Sequence, residues 1–320
     1  MLKRIPQLTE LLGMQELVLF MEQFIIKFLE IQRMKIFIMQ ITSSPKIPKN
    51  ISNIELLQPF GTYKPTLIQK LLIITTQKNI IARAAIRTRI NRVLKSIRSG
   101  PIDSKLYGYN FRFFPFENTG DRKALLSPNA FDNKECLLIA KYLPKNGVFL
   151  DIGANIGANI GVYTFRIASL RRDSKIYAFE PSPKVFAKLS FNLKLNNISN
   201  VKAYDTAISD QKGELSFDTE NESLVFGSGN IQVKTDTLIN FISSENLTSI
   251  GALKIDIEGA EDKALRPFFE NSPRTLWPRI VVIEHVFPAQ WDWNCINFLI
   301  SNGYSILWRG KMNTVFQFGL

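Results

Sequence analysis

Histidine and cysteine are scarce in this chain, and negative charge is scarce in its first third. Of 320 residues, one is histidine and two are cysteine. Cys136 and Cys295 cannot build a disulfide framework, so a reducing compartment, the cytoplasm, is the expectation. Their spacing from His285 is not that of a zinc site. No run of about 18 uncharged apolar residues occurs, which argues against a spanning helix. The greasiest stretch, "LVLFMEQFIIKFLEIQRMKIFIM" (17–39), is interrupted by Glu22, Lys27, Glu30, Arg33 and Lys35, and it lacks the small-residue cleavage site of a secretory signal. No glycine loop ends in G-K-[ST], which excludes a P-loop, and G-x-G-x-x-G, the dinucleotide pattern, is missing. An Asn-Pro-Pro-Tyr motif for exocyclic amines is missing as well.

Acidic residues are unevenly spread. Residues 1–100 hold 16 Lys and Arg against 5 Asp and Glu, whereas residues 101–320 hold 24 against 23. Any partner attracted by the net charge of +12 therefore meets the N-terminal region. Within it, "TSSPKIPKN" (42–50) reads as a linker. "AAIRTRINRVLKSIRSG" (84–100) places Ile86, Ile90, Val93, Leu94 and Ile97 at helical spacing, with Arg87, Arg89, Arg92, Lys95 and Arg98 around them. Such a helix packs its apolar face and solvates the basic one, or rests residues 84–98 on an anionic membrane surface. Nucleic acid is the weaker third partner, because the rest of the chain is electrically balanced.

The pattern changes near residue 101, and the expected division is a basic, mainly helical extension (1–100) followed by one domain (101–320). Apolar runs ending in an acid or a turn recur: "GVFLDIG" (147–153), "DSKIYAFEPSP" (173–183), "NVKAYDTAIS" (200–209), "IGALKIDIEG" (250–259) and "PRIVVIEH" (278–285). Segments able to hold helices separate them, and "GELSFDT" (213–219) reads as a smaller strand. This alternation predicts an α/β fold, a doubly wound, mostly parallel sheet. "YSILWRG" and "NTVFQFGL" read as a β-hairpin closing it.

In such a sheet, ligands bind beyond the carboxyl ends of the strands. "LDIGANIGANIGVYTF" (150–165) supplies a glycine turn after the first strand, where helix amides favour a carboxylate and Asp151 can accept from an ammonium. Glu180, 27 residues beyond Gly153, can accept from a ribose diol. An amino-acid end beside a ribose describes S-adenosylmethionine, and the Gly153, Gly157, Gly161 spacing favours it over a dinucleotide. After the fourth strand Asp256, Glu258 and Glu261 cluster, and Glu284-His285 ends the fifth. Glu258 and His285 are the base candidates, with Asp256 positioning donor or acceptor. No metal is expected, since Asp256 and Glu258 lack a third ligand of clear spacing. The aromatics of "FRFFPFENTGDR" (111–122) and "FPAQWDWN" (287–294) stack on an acceptor or fill core.

"VFLDIGANIG", "YAFEPSP", "AISDQKG" and "LKIDIEGAE", in that order, resemble the FkbM-type methyltransferase family over roughly residues 105–320. The resemblance implies a class I methyltransferase (Rossmann-like) fold, S-adenosylmethionine as donor, and O-methylation of a saccharide or other small hydroxyl compound. It assigns Asp151, Gly153, Asn155 and Gly157 to the donor, Glu180 to its ribose, and the segment from Asp205 to Ala207 to its adenine. The family has a single G-A-N-I-G where this chain repeats four residues. In a helix, four residues add about 6 Å and about 40° beyond one turn. The first copy is therefore expected to be the cradle and the second an added turn or bulge. A cradle broken by the repeat, leaving a binding relative without activity, is the alternative, as is a nucleic-acid methyltransferase.

Overall fold

The computed structural model describes residues 52–77, 84–128, 133–154, 161–218, 223–224, 229 and 231–319. The chain forms two units, one made of residues 1–52 and 66–100, the other of residues 53–65 and 101–320. The division expected after residue 100 therefore misses a second crossing, because residues 53–65 pack with the larger unit.

In the smaller unit two helices are described, α2 (Leu67–Gln77) and α3 (Ala84–Ile97). Thr66 and Gln69 start α2 with a reciprocal capping pair: Thr66 N donates to Gln69 Oε1 at 3.1 Å, and Gln69 N to Thr66 Oγ1 at 3.3 Å. The Gln69 Nε2 group then donates to the carbonyls of Leu94 and Arg98 at the end of α3, the former shared with the Arg98 amide. Ile90, Val93 and Leu94 of α3 are buried, while Arg89, Arg92 and Lys95 are exposed. Ile86 and Arg87 lie outside the side chains described. On α2, Leu67 and Leu71 stay 82% and 58% exposed. Among the described residues, no helix is long and apolar enough to cross a membrane.

The larger unit begins with α1 (Ser52–Leu57), of which residues 53–57 belong to it, and a hairpin, β1 (Ile102–Leu106) and β2 (Tyr109–Phe113). Tyr107 and Gly108 turn the hairpin, both at positive φ, the two-residue geometry whose twist matches paired strands. Asp103 and Arg112 face each other across it, and Arg112 is wholly buried. Its guanidinium binds both Asp103 oxygens and the carbonyls of Glu55, Gln58 and Pro59, which fastens residues 53–65 to this unit. The hairpin was not anticipated from sequence. Phe111, Phe113 and Phe114 are buried, so the aromatics of this stretch fill core.

α4 (Thr119–Leu126) and α5 (Asn133–Tyr142) lead into the main sheet. Its strands are β3 (Val148–Ile152), β4 (Lys175–Phe179), β5 (Val201–Tyr204), β10 (Ala252–Ile255), β11 (Ile280–Glu284), β12 (Tyr304–Arg309) and β13 (Asn313–Phe318). They lie in the order β12-β13-β11-β10-β3-β4-β5; β13 runs antiparallel to both neighbours and the other pairings are parallel. Side chains alternate between two cores, as period-2 geometry requires. Leu150, Ile152, Leu253 and Ile255 join one, with Phe268 from helix α9 (Glu261–Asn271). Phe149 and Ala252 join the other, with Tyr163 and Ile167 from helix α6 (Val162–Leu170). Coverage of both faces explains why β3, β10 and β11 read as unbroken apolar runs.

From β4 the chain passes through α7 (Pro183–Leu195) to β5, and returns past β3 to β10. Between them lies a second sheet, ordered β6-β9-β7-β8, from β6 (Ala207–Ser209), β7 (Gly213–Asp218), β8 (Ser223–Leu224) and β9 (Ile231–Thr237), followed by α8 (Leu238–Ser244). The single strand expected over 200–209 is thus two. The chain leaves the main sheet at Tyr204, and Ala207–Ser209 pairs with β9 instead. The C-terminal hairpin forms as expected, after the short helix α10 (Cys295–Ser301). Cys136 and Cys295 are buried and unlinked.

Candidate active site

Strand order reverses between β3 and β10, so their carboxyl ends open a crevice at the topological switch point. Gly153 makes the turn after β3 at φ +70, and a Cβ there would stand 1.9 Å from the Asp256 carbonyl oxygen, so only glycine fits. The Ala154 amide donates to the Phe179 carbonyl at 2.9 Å, laying the turn across the end of β4.

Asp151 does not open toward solvent. It is fully buried, accepts from Thr164 Oγ1 at 2.6 Å, and has its other oxygen 3.7 Å from Lys254 Nζ. Burial raises its pKa against the pull of Lys254 and Thr164. The Asp151 carboxylate, expected from sequence to accept from a ligand ammonium, thus has no solvent exposure. Asn155 and Gly157 lie outside the described residues, as does the whole of the second G-A-N-I copy (157–160). Both ends of the repeat are fixed nonetheless: Gly153-Ala154 on one side, and on the other Gly161 as N-cap of α6, three residues before Thr164. The Asp151–Thr164 bond therefore spans the repeat.

Glu180, just beyond β4, is buried, and its Oε1 accepts from the Ser182 amide at 2.8 Å. Asp205 is exposed, 3.4 Å from Lys234, and Ala207 is buried at the start of β6.

Lys254, which sequence reasoning missed, organises the β3–β10 seam. Its Nζ donates to the Gly153 carbonyl at 2.7 Å and lies 3.7 Å from both Asp151 Oδ1 and Asp256 Oδ2. A lysine two residues before an acid in an apolar strand puts both on one face, and that was the available signal. Beyond it, Glu258 sits in the left-handed region at φ +56, a strain of about 1–2 kcal/mol. Glu261 holds that turn: its Oε1 accepts from the amides of Ile257 (2.8 Å) and Gly259 (3.4 Å), and its Oε2 from Trp291 Nε1. Burial raises the Glu261 pKa. Trp291 and Trp293 are half-buried and Phe287 is exposed, beside this turn.

Glu284, 2% exposed, ends β11. One carboxylate oxygen from each of Asp256, Glu258 and Glu284 lies within 4.8 Å of the other two, so the third acid that spacing did not reveal comes from another strand. Burial, then the charges of Asp256 and Glu258, push Glu284 up to about 9. His285 is half-buried, with Nδ1 3.0 Å from Thr314 Oγ1 and its amide donating to the Met312 carbonyl. Burial and Arg309 lower its pKa, which keeps the ring neutral near pH 7. The sequence-predicted Asp256 and Glu258 are thus brought together, and the neighbour of His285 joins them.

A seven-stranded sheet in this order, with one antiparallel strand near its edge and its acids at the switch point, is the class I methyltransferase fold. Residues 151–306 match the model of the methyltransferase FkbM domain. "Methyltransferase 1" of Beauveria bassiana is 28% identical over 137 residues, 34% of this chain and 55% of that protein. "2-O-methyltransferase NoeI" of Sinorhizobium fredii is 28% identical over 151 residues, 40% of this chain and 60% of that protein. The chain thus spans little more than half the length of these two relatives. The crystallised METTL16 methyltransferase domain is 14% identical, with 73% of this chain and 79% of that one covered and a TM-score of 0.42. The fold assignment rests on strand order, not on that likeness.

Proposed function

We propose that the domain transfers a methyl group from S-adenosylmethionine to a hydroxyl oxygen of a saccharide or other small acceptor. The observation that carries this reading is the placement of Gly153, Glu180, Asp256 and Glu258 just beyond the carboxyl ends of the adjacent strands β3, β4 and β10 at the switch point, with His285 following the next strand, β11. These residues fit the donor. The turn after β3 is held open by a glycine that tolerates no side chain, and a buried acid stands at the end of β4 with one oxygen fixed by Ser182. The β3 turn would take the amino-acid end of the donor and Glu180 its ribose, with Asp205 and Ala207 flanking the adenine. When bound, the donor supplies an electrophilic methyl group on a sulfonium.

The chain's own part is to align the acceptor oxygen and remove its proton. Holding two reactants in line is worth up to about 7–11 kcal/mol of barrier. His285 is the base in this reading. In the tautomer whose Nδ1–H donates to Thr314 Oγ1, Nε2 carries the lone pair, and a lowered pKa keeps that lone pair available near neutrality. Asp256 positions the acceptor, and Glu258 projects from a turn that Glu261 stiffens. The name of the relative NoeI, a 2-O-methyltransferase, favours oxygen as the acceptor atom. Incubation with methyl-labelled donor and a panel of saccharides tests it. Alkali-stable label in a saccharide is expected, as an ether resists hydrolysis. Label confined to alkali-labile esters, or to nucleic acid, would refute it.

The basic helix is a separate matter. The apolar side of α3 is already covered, so contact with an anionic membrane would run through Arg89, Arg92 and Lys95. We propose that contact as peripheral and electrostatic.

A further inference from the structure

The arrangement of Asp256, Glu258 and Glu284 goes beyond what methyl transfer alone requires. Three carboxylates from two strand ends converge within 4.8 Å. Like charges so close do not coexist ionised unless a cation or a proton sits among them. Lys254 is not placed to serve Glu284: it is engaged with the Gly153 carbonyl and lies between Asp151 and Asp256. Glu284 Oε2 is buried with no hydrogen-bond donor, and no lysine or arginine pairs with Glu284 among the described residues. Asp256 Oδ1 is also buried and without a donor.

We infer that Asp256, Glu258 and Glu284 bind a divalent cation of the oxygen-preferring kind. Two oxygens on one ion stand at most twice the metal–oxygen distance apart. That limit is about 4.6–5.2 Å for Ca2+ and about 4.2 Å for Mg2+. The 4.8 Å spread therefore suits a calcium-sized ion as it stands, and Mg2+ after contraction by about half an ångström. Three carboxylates leave coordination positions free in a shell of six to eight. Resting on the methyl-transfer reading, those positions would take acceptor hydroxyls, so the site would select acceptors with neighbouring hydroxyl groups and ease loss of the proton from the one methylated.

The test uses the full chain, freed of metal with chelator, titrated calorimetrically with calcium chloride and with magnesium chloride. Saturable binding of one ion per chain, calcium tighter than magnesium, is expected, weakened at least tenfold in Glu284→Gln and in Glu258→Gln. Glu258 is half-buried and tolerates the amide without disturbing the core, so the test survives if the Glu284 variant folds poorly. Absence of saturable binding of either ion, or binding unchanged in both variants, would overturn the inference. Titration of S-adenosylmethionine into the same chelated sample separates the two readings. Calcium binding without donor binding leaves the cation site standing and removes the methyl-transfer reading.

Discussion

Replacing Thr164 by valine removes one hydroxyl and almost no volume, and the consequence follows from the bond it makes. Thr164 Oγ1 donates to Asp151 Oδ2 at 2.6 Å, with both residues fully buried. A hydrogen bond to a charged group is worth about 1.5–3 kcal/mol, and an acceptor left buried without its donor keeps its desolvation cost. Asp151 retains Lys254 only at 3.7 Å, too far to replace the lost bond. A loss of about 2 kcal/mol is expected, measured by urea denaturation. In a domain of roughly 200 residues this lowers Tm by about 4–8 °C. Because the bond ties together the two ends of the repeated G-A-N-I, donor affinity should also fall, by about tenfold. Thr164→Ser keeps the hydroxyl and should bind donor like the unaltered chain, at a cost of about 1 kcal/mol for the lost methyl. A Thr164→Val change below about 0.5 kcal/mol with unaltered donor affinity would refute the view that this bond anchors the repeat.

Arg112→Lys should destabilise the larger unit by about 3–5 kcal/mol, since a lysine cannot reach Asp103 and three carbonyls together, and trypsin or thermolysin should then cut within residues 53–65; protection equal to that of the unaltered chain would count against the latch. Glu284 should make stability fall with pH in the presence of chelator. Its folded pKa, about 9, exceeds the unfolded value near 4.5, so its contribution is complete below pH 4.5 and declines as pH rises toward 9. Glu284→Gln should flatten that slope in unfolding measurements from pH 5 to 8.5, and an unchanged slope would contradict the assignment. Reversal of Arg89, Arg92 and Lys95 to glutamate should abolish sedimentation with anionic vesicles at low salt; undiminished sedimentation would end the membrane reading.

The sheet was legible because β3, β4, β10 and β11 are buried on both faces and therefore appear as apolar runs closed by an acid or a turn. The C-terminal hairpin was legible as two alternating strands around Gly310 and Lys311. What could not be read were pairings made across long separations. Nothing local marks Tyr204–Ala207 as the point where the chain changes sheets, for neither glycine nor proline stands there. The β1–β2 hairpin was passed over although Tyr109-Asn110-Phe111-Arg112-Phe113 alternates in polarity, because the pairing that gives Arg112 its place, with Asp103, forms only across the turn. At the site, Asp256 and Glu258 were visible as neighbours in sequence. Glu284 joins them only because β10 and β11 lie side by side. Lys254 was passed over because a lysine within an apolar strand gains its meaning from Asp151, a hundred residues earlier.

The most direct measurement is calorimetric titration of S-adenosylmethionine into the chain as it stands, beside a variant lacking Ala158 to Gly161. With Gly153, Thr164 and Glu180 held as described, both should bind at micromolar concentrations and within about tenfold of each other. Binding by the shortened chain alone, or by neither, would contradict the claim that this site holds the methyl donor.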